Sequence, residues 1–219
     1  DAVTLSDTGA NIAALSSTVL GTLASKGIDT IDATNNILQL TVSQYQALGA
    51  TTLTAADTVT LADTGANLSA LTAVQIGALA GNNIDILDAT DDLLSLTVAK
   101  FQALGTVSLR STDTVTLADT GANIAALSTA QFNVMAAKGV DVLDATDNVL
   151  TLSIAQVQGL GTLLLATGDV VTVSDTQANI QALTGAQLAA LANSNVHFIH
   201  ASNTSTINLS ESQVQPFLA

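Results

Sequence analysis

The chain has 219 residues, of which 48% are hydrophobic and 10% charged, so its core is aliphatic and its wet surface falls to Ser, Thr, Asn and Gln. Eighteen acids against four bases (Lys26, Lys100, Arg110, Lys138) give a net charge of −14, which excludes nucleic acid and anionic membrane surfaces as partners, because both need basic patches. No Cys is present to build a disulfide framework, and no apolar run is long and uninterrupted enough to predict membrane insertion.

One stretch is written four times. Asp7, Asp63, Asp119 and Asp175 stand 56 residues apart, as do Asn11, Asn67, Asn123 and Asn179. The copies are 1–56, 57–112, 113–168 and 169–219, the last with one extra residue near Thr204. A fixed period marks a stacked array in which each unit buries its apolar face against its neighbours. The chain opens at Asp1 in mid-pattern, without a signal peptide, and reads as a piece of a longer array.

Copy three shows the elements in order. Residues Asp113 to Leu117 alternate as a strand with Val115 and Leu117 on one face. Asp119 reads as a helix N-cap, with Ile124 and Leu127 following one turn apart. Ser128…Gln131 is a capping box that restarts the helix at a bend; Thr72…Gln75 and Thr184…Gln187 match it, whereas Val19 replaces the Gln in copy one. The second helix carries Phe132 and Met135 and stops at Gly139, matched by Gly27, Asn83 and Asn195, residues that accept the left-handed C′ conformation. Two strands follow around a turn at Asp147-Asn148 (Asn35-Asn36, Asp91-Asp92 and Asn203-Thr204 elsewhere). Ser153…Gln156 then caps another helix, as do Thr41…Gln44 and Ser210…Gln213; Gly161, Gly49 and Gly105 close it. A short strand at 163–165 leads into the next copy.

Strands that recur after helices lie parallel, with right-handed connections. The predicted fold class is therefore α/β: a single domain over 1–219, a right-handed α/β solenoid of four 56-residue repeats. Each repeat makes two coils, with parallel strands on two faces, as two ribbons, and helices on the third.

The phrases Asp-Thr-Gly-Ala-Asn-Ile-Ala-Ala-Leu (119–127) and Leu-Ser-Ile-Ala-Gln (152–156) resemble the Ala/Thr-rich tandem repeats of large secreted and cell-surface proteins of proteobacteria. Many of these are type I-exported and of the adhesin or repeats-in-toxin kind. The resemblance spans the whole chain as a repeat style, and it implies an extracellular location and a structural or adhesive role. The glycine-rich nonapeptide that binds calcium in repeats-in-toxin proteins is missing here.

The acids form four columns: Asp1/57/113/169, Asp7/63/119/175, Asp29/85/141 and Asp32/88/144. The last two, Asp29, Asp32, Asp85, Asp88, Asp141 and Asp144, are the calcium candidates, since hard cations gather carboxylate oxygens. The favoured alternative needs no cation: the first column ends a turn, the second caps helices, and the others solvate strand ends. No D-x-D-x-D-G loop is present, and no cofactor is predicted. His197 and His200 replace two of these Asp in copy four, but three residues apart on a strand they face opposite ways. The Asn column is expected to be buried, its amides bonding backbone between coils. Thr58-x-Thr60 and Thr114-x-Thr116 suggest an ice-binding array, which Gln39, Ser95, Thr151 and Asn208 interrupt. Tyr45 and Phe101 share a position with Val157 and Val214, which places them in the core.

No nucleophile has a base beside it, and no phosphate-binding loop appears, so no enzyme is expected. The expected function is a structural repeat segment, a spacer or adhesive stalk, of an extracellular bacterial surface protein. Its partners would be flanking repeats of a longer parent chain and a cell-surface or glycan ligand. The alternatives are a binding module for a protein or glycan in the manner of leucine-rich repeats, and a surface-layer component.

Overall fold

The computed structural model describes residues 1–215 as a mixed α/β protein of parallel sheets and short helices. The last four residues of copy four lie outside the described part. Contacts gather into two compact units, Asp1–Val115 and Thr116–Ala219.

In the first unit, copy one supplies β1 (Thr4–Asp7), α1 (Gly9–Ala13), α2 (Ser17–Leu20), β2 (Thr30–Ala33), β3 (Ile37–Leu40), α3 (Val42–Ala47) and β4 (Thr52–Leu53). Copy two supplies β5 (Thr58–Asp63), α4 (Gly65–Ser69), α5 (Ala73–Leu79), β6 (Ile86–Ala89), β7 (Leu93–Leu96), α6 (Val98–Ala103) and β8 (Ser108–Leu109). One sheet has the order β1-β2-β4 and another β3-β5-β6-β8, all parallel.

These strands do not run as two continuous ribbons. β5 pairs with β3 along one edge (Thr58–Leu61 beside Ile37–Leu40) and with β6 along the other (Thr60–Asp63 beside Ile86–Ala89). No turn residue interrupts Thr58 to Asp63, so the strand is long enough to join β3, which follows the corner of copy one, to β6, which precedes the corner of copy two. The Asn36 and Asp92 turns are corners rather than reversals, since β2 and β3 enter different sheets; both residues have φ of 56°.

The second unit repeats the plan. β9 (Thr114–Asp119) is followed by α7 (Gly121–Ala125), α8 (Thr129–Met135), β10 (Val142–Ala145), β11 (Val149–Leu152), α9 (Ile154–Gln158) and β12 (Leu164–Leu165). Copy four gives β13 (Val170–Asp175), α10 (Gln177–Gln181), α11 (Gly185–Asn193), β14 (Val196–Ala201) and α12 (Glu211–Val214). β10 lies between β9 and β12, and β13 between β11 and β14, again all parallel.

Inward positions alternate along β2, β3, β6, β7, β10 and β11, and the core is mainly aliphatic: Ile31, Leu38, Leu61 and Leu143 are fully buried, as are Met135 and the larger Phe132. Each such side chain contributes about 1.5–3 kcal/mol by leaving water. The helix stops fall where the residue types predict, with Gly27, Asn83, Gly139 and Asn195 all left-handed (φ 59° to 87°). The capping boxes at Thr72, Ser128, Thr184, Thr41 and Ser153 form with both bonds, and at Ser210 the backbone N–H donates to Gln213 Oε1.

Glycine at the head of α1, α4 and α7 is a steric requirement. A Cβ on Gly9, Gly65 or Gly121 would stand 1.7–1.8 Å from the carbonyl oxygen of Ile37, Leu93 or Val149. Copy four has Gln177 at this position, and there residues 205–209, which would supply the neighbouring strand, form none. Among the described residues no helix is long and apolar enough to cross a membrane.

Candidate functional site

Ordered polar groups bridge successive strands and helices both within a copy and where one copy meets the next, and the acid columns have different jobs there. Three members of the first column are buried, Asp57, Asp113 and Asp169 at 4%, 5% and 1% exposed, whereas Asp1 is exposed. Each Oδ2 accepts the backbone N–H of Ala33, Ala89 or Ala145 at 2.8–2.9 Å, at the end of a strand in the preceding copy. Each Oδ1 is buried without a hydrogen-bond partner. Burial pushes the carboxyls of Asp113 and Asp169 above the ordinary range against the pull of the alanine N–H. Asp88 and Asp92 add to the rise at Asp113, with Arg110 opposing it; Asp144 and Asp147 add to it at Asp169. These acids are more than turn ends.

The second column does not supply the N-cap. Thr8, Thr64, Thr120 and Thr176 do, each hydroxyl accepting an N–H of its helix. Asp119 stands one residue earlier, where Oδ1 accepts the N–H of Thr120 at 2.8 Å and the side-chain amide of Asn123 at 2.7 Å. Asp63 and Asp175 also accept the N–H of Val42 and Ile154 at the start of the preceding copy's last helix. Partial burial pushes these two acids up, but the bonds from Asn67 or Asn179 and from backbone N–H groups outweigh it and hold them below the usual range. At exposed Asp7 the Asn11 amide is the main cause of the same lowering.

The Asn column is therefore exposed and bonded within its own helix turn, contrary to the expectation of buried amides between coils. Gln performs that role. Gln156, 8% exposed, donates from Nε2 to the carbonyls of Ala125 and Leu127, both at 2.8 Å, and Gln44 does the same to Ala13 and Leu15. Gln213 bonds Gln181 and Leu183 likewise, and in copy two Lys100 Nζ bonds the carbonyl of Ser69. Gln156→Ala should cost about 1–3 kcal/mol, because two buried carbonyls lose their donor. Asn123→Ala should stay within about 0.5 kcal/mol. Urea unfolding of the two variants checks the contrast, and equal losses would contradict it.

The calcium candidates act singly. Asp29 and Asp85 accept the N–H of Val3 and Val59 at 2.8 Å, Asp32 accepts the Ser6 hydroxyl at 2.9 Å, and Asp88 lies 3.7 Å from the Arg110 guanidinium. Asp141 is exposed just before β10 and Asp144 half-buried within it. Among the described residues no three or more His, Cys, Asp or Glu are grouped to hold a metal ion. The histidines take over the acids' bonds: His197 Nδ1 accepts the N–H of Val171 at 3.2 Å, and His200 Nδ1 meets the Ser174 hydroxyl at 3.1 Å. The strand is irregular here, with a register shift between Val171 and Thr172.

Phe101 and Val157 are buried, as their column predicts, but Tyr45 is only half-buried. Its phenol oxygen accepts the side-chain amide of Asn82 at 2.7 Å beside a groove of about 300 Å³. No protein-family model matches the chain, and no curated protein matches it either.

Proposed function

We propose that this chain is a structural repeat segment: a right-handed α/β solenoid of four copies, two coils each, serving as a spacer or adhesive stalk of an extracellular bacterial surface protein. The observation that carries this reading is the reuse of one bond set at equal sequence intervals. Asp57 to Ala33 and Asp169 to Ala145 are the same bond in two units, as are Asp63 to Val42 and Asp175 to Ile154. These bonds join copy to copy, while others, such as Gln44 to Ala13 and Gln156 to Ala125, join successive turns of chain within a copy, which suits a stacked array whose natural partners are flanking repeats. The repeat style's likeness to secreted and surface proteins supports the location.

Length dependence tests the array. The isolated copy 113–168 should not fold, two copies should be marginal, and the full chain should melt cooperatively, as nearest-neighbour stacking requires. Circular dichroism melts of the three lengths read this. A sharp, stable transition in the single copy would refute it. Labelling of intact source cells with an antibody to the segment tests the surface location.

A further inference from the structure

The groove beside Tyr45 belongs to one junction and has its own chemistry. It lies between the end of copy one and the α5 end of copy two, and encloses about 300 Å³. That is the low end of the range for small-molecule sites, about 300–1,000 Å³. Its polar wall is Tyr45, Gln46, Thr51, Thr52, Asn82 and Asn83, and no charged side chain lines it, although the chain carries −14. The Asn82 amide donates to the phenol oxygen, so the phenol keeps its own O–H to donate. The amide of Asn83 is held by the carbonyl of Leu53 at 2.7 Å, which fixes that wall. Gly49 and Gly81 keep the rim open, since an added Cβ meets nothing within 3.8 Å at either.

The equivalent junction in the second unit lacks these features. Val157 replaces Tyr45 and Ser194 replaces Asn82 there, so neither the phenol nor the amide that meets it is present. Repetition of the fold thus explains a groove but not a tyrosine and an amide in this one.

We infer that the Tyr45 groove is a binding site for an uncharged saccharide unit. Uncharged donors and acceptors next to a partly exposed aromatic ring match hydroxyl groups and the apolar face of a sugar ring. The field of a strongly acidic chain disfavours anionic ligands. This reading goes beyond the structural role and does not depend on it.

The chain provides its own reporter, because Tyr45 is the one tyrosine and Trp is absent. Tyrosine emission of the full chain is followed during titration with maltose, cellobiose and N,N′-diacetylchitobiose, with a uronic-acid disaccharide as the charged comparison. At least one neutral sugar should give a saturable change, and exposed Asn82→Ala should weaken it at least about tenfold. Tyr45→Phe, followed by calorimetry, should weaken the same sugar while leaving the melting curve unchanged. Absence of saturation with all three neutral sugars, equal binding of the charged one, or full affinity in Asn82→Ala would each overturn the proposal.

Discussion

Gly121→Ala should destabilise the protein by about 3 kcal/mol or more, near the upper end for overpacking of a closed site. The added methyl would stand 1.8 Å from the Val149 carbonyl oxygen, and backbone, unlike a flexible side-chain end, cannot swing aside. Either α7 lifts off β11 or β11 loses its register with β13. Gly81→Ala is the control, because its Cβ would meet nothing within 4 Å. It should be neutral or slightly stabilising by reducing the freedom of the unfolded chain. Chemical denaturation of both variants decides, and a Gly121→Ala midpoint within error of the parent would show that helix and strand are not this close. Copy four offers the converse. Gln177→Gly removes the obstructing side chain, so amide exchange in residues 205–209 should slow as that segment approaches α10.

Local signals are legible in the sequence where one residue type has one physical reason to be at a place. Left-handed stops at Gly27, Asn83, Gly139 and Asn195 and the capping boxes follow from backbone demands that few residues meet. Parallel pairing followed from strands recurring after helices. What escaped was contact between distant residues. Asn123 and Gln156 recur with equal regularity, and period alone does not say which amide faces a neighbouring carbonyl; the substitution of Gln by Lys100, another long donor, was the available clue. Asp119 and Thr120 are adjacent good caps, and a shift of one residue moved the cap from one to the other. Asp57, Asp113 and Asp169 look like ordinary turn acids, because burial of a carboxylate depends on the next layer of chain. Tyr45 differs from Phe101 by one oxygen, whose partner Asn82 lies in another copy.

The buried acids set the second large effect. Asp113→Ala removes the acceptor of the Ala89 N–H and should cost about 1–3 kcal/mol. Asp113→Asn keeps an acceptor and removes the charge, so the two variants separate bond from charge. The folded state holds Asp113 and Asp169 above the ordinary carboxyl range, chiefly through burial. A raised carboxyl binds its proton more tightly in the folded chain, so its stabilising contribution is complete below the unfolded value of about 3.9 and is lost as pH rises through the folded value. Asp63 and Asp175 are lowered, and their contribution runs the other way: present above the unfolded value and lost as pH falls through the folded one. In the parent the two trends oppose each other. Removing the first pair with Asp113→Asn and Asp169→Asn should therefore leave the second trend unmasked. Relative to the parent, the double variant should gain stability as pH rises from about 4 toward neutrality, because only the parent must then carry two buried charges with an unpartnered oxygen. Denaturation midpoints at closely spaced pH values measure the difference. If the Asn variants track the parent in parallel, or lose as much as Asp113→Ala at neutral pH, the buried oxygens carry no penalty and the acid column is held by bonds alone.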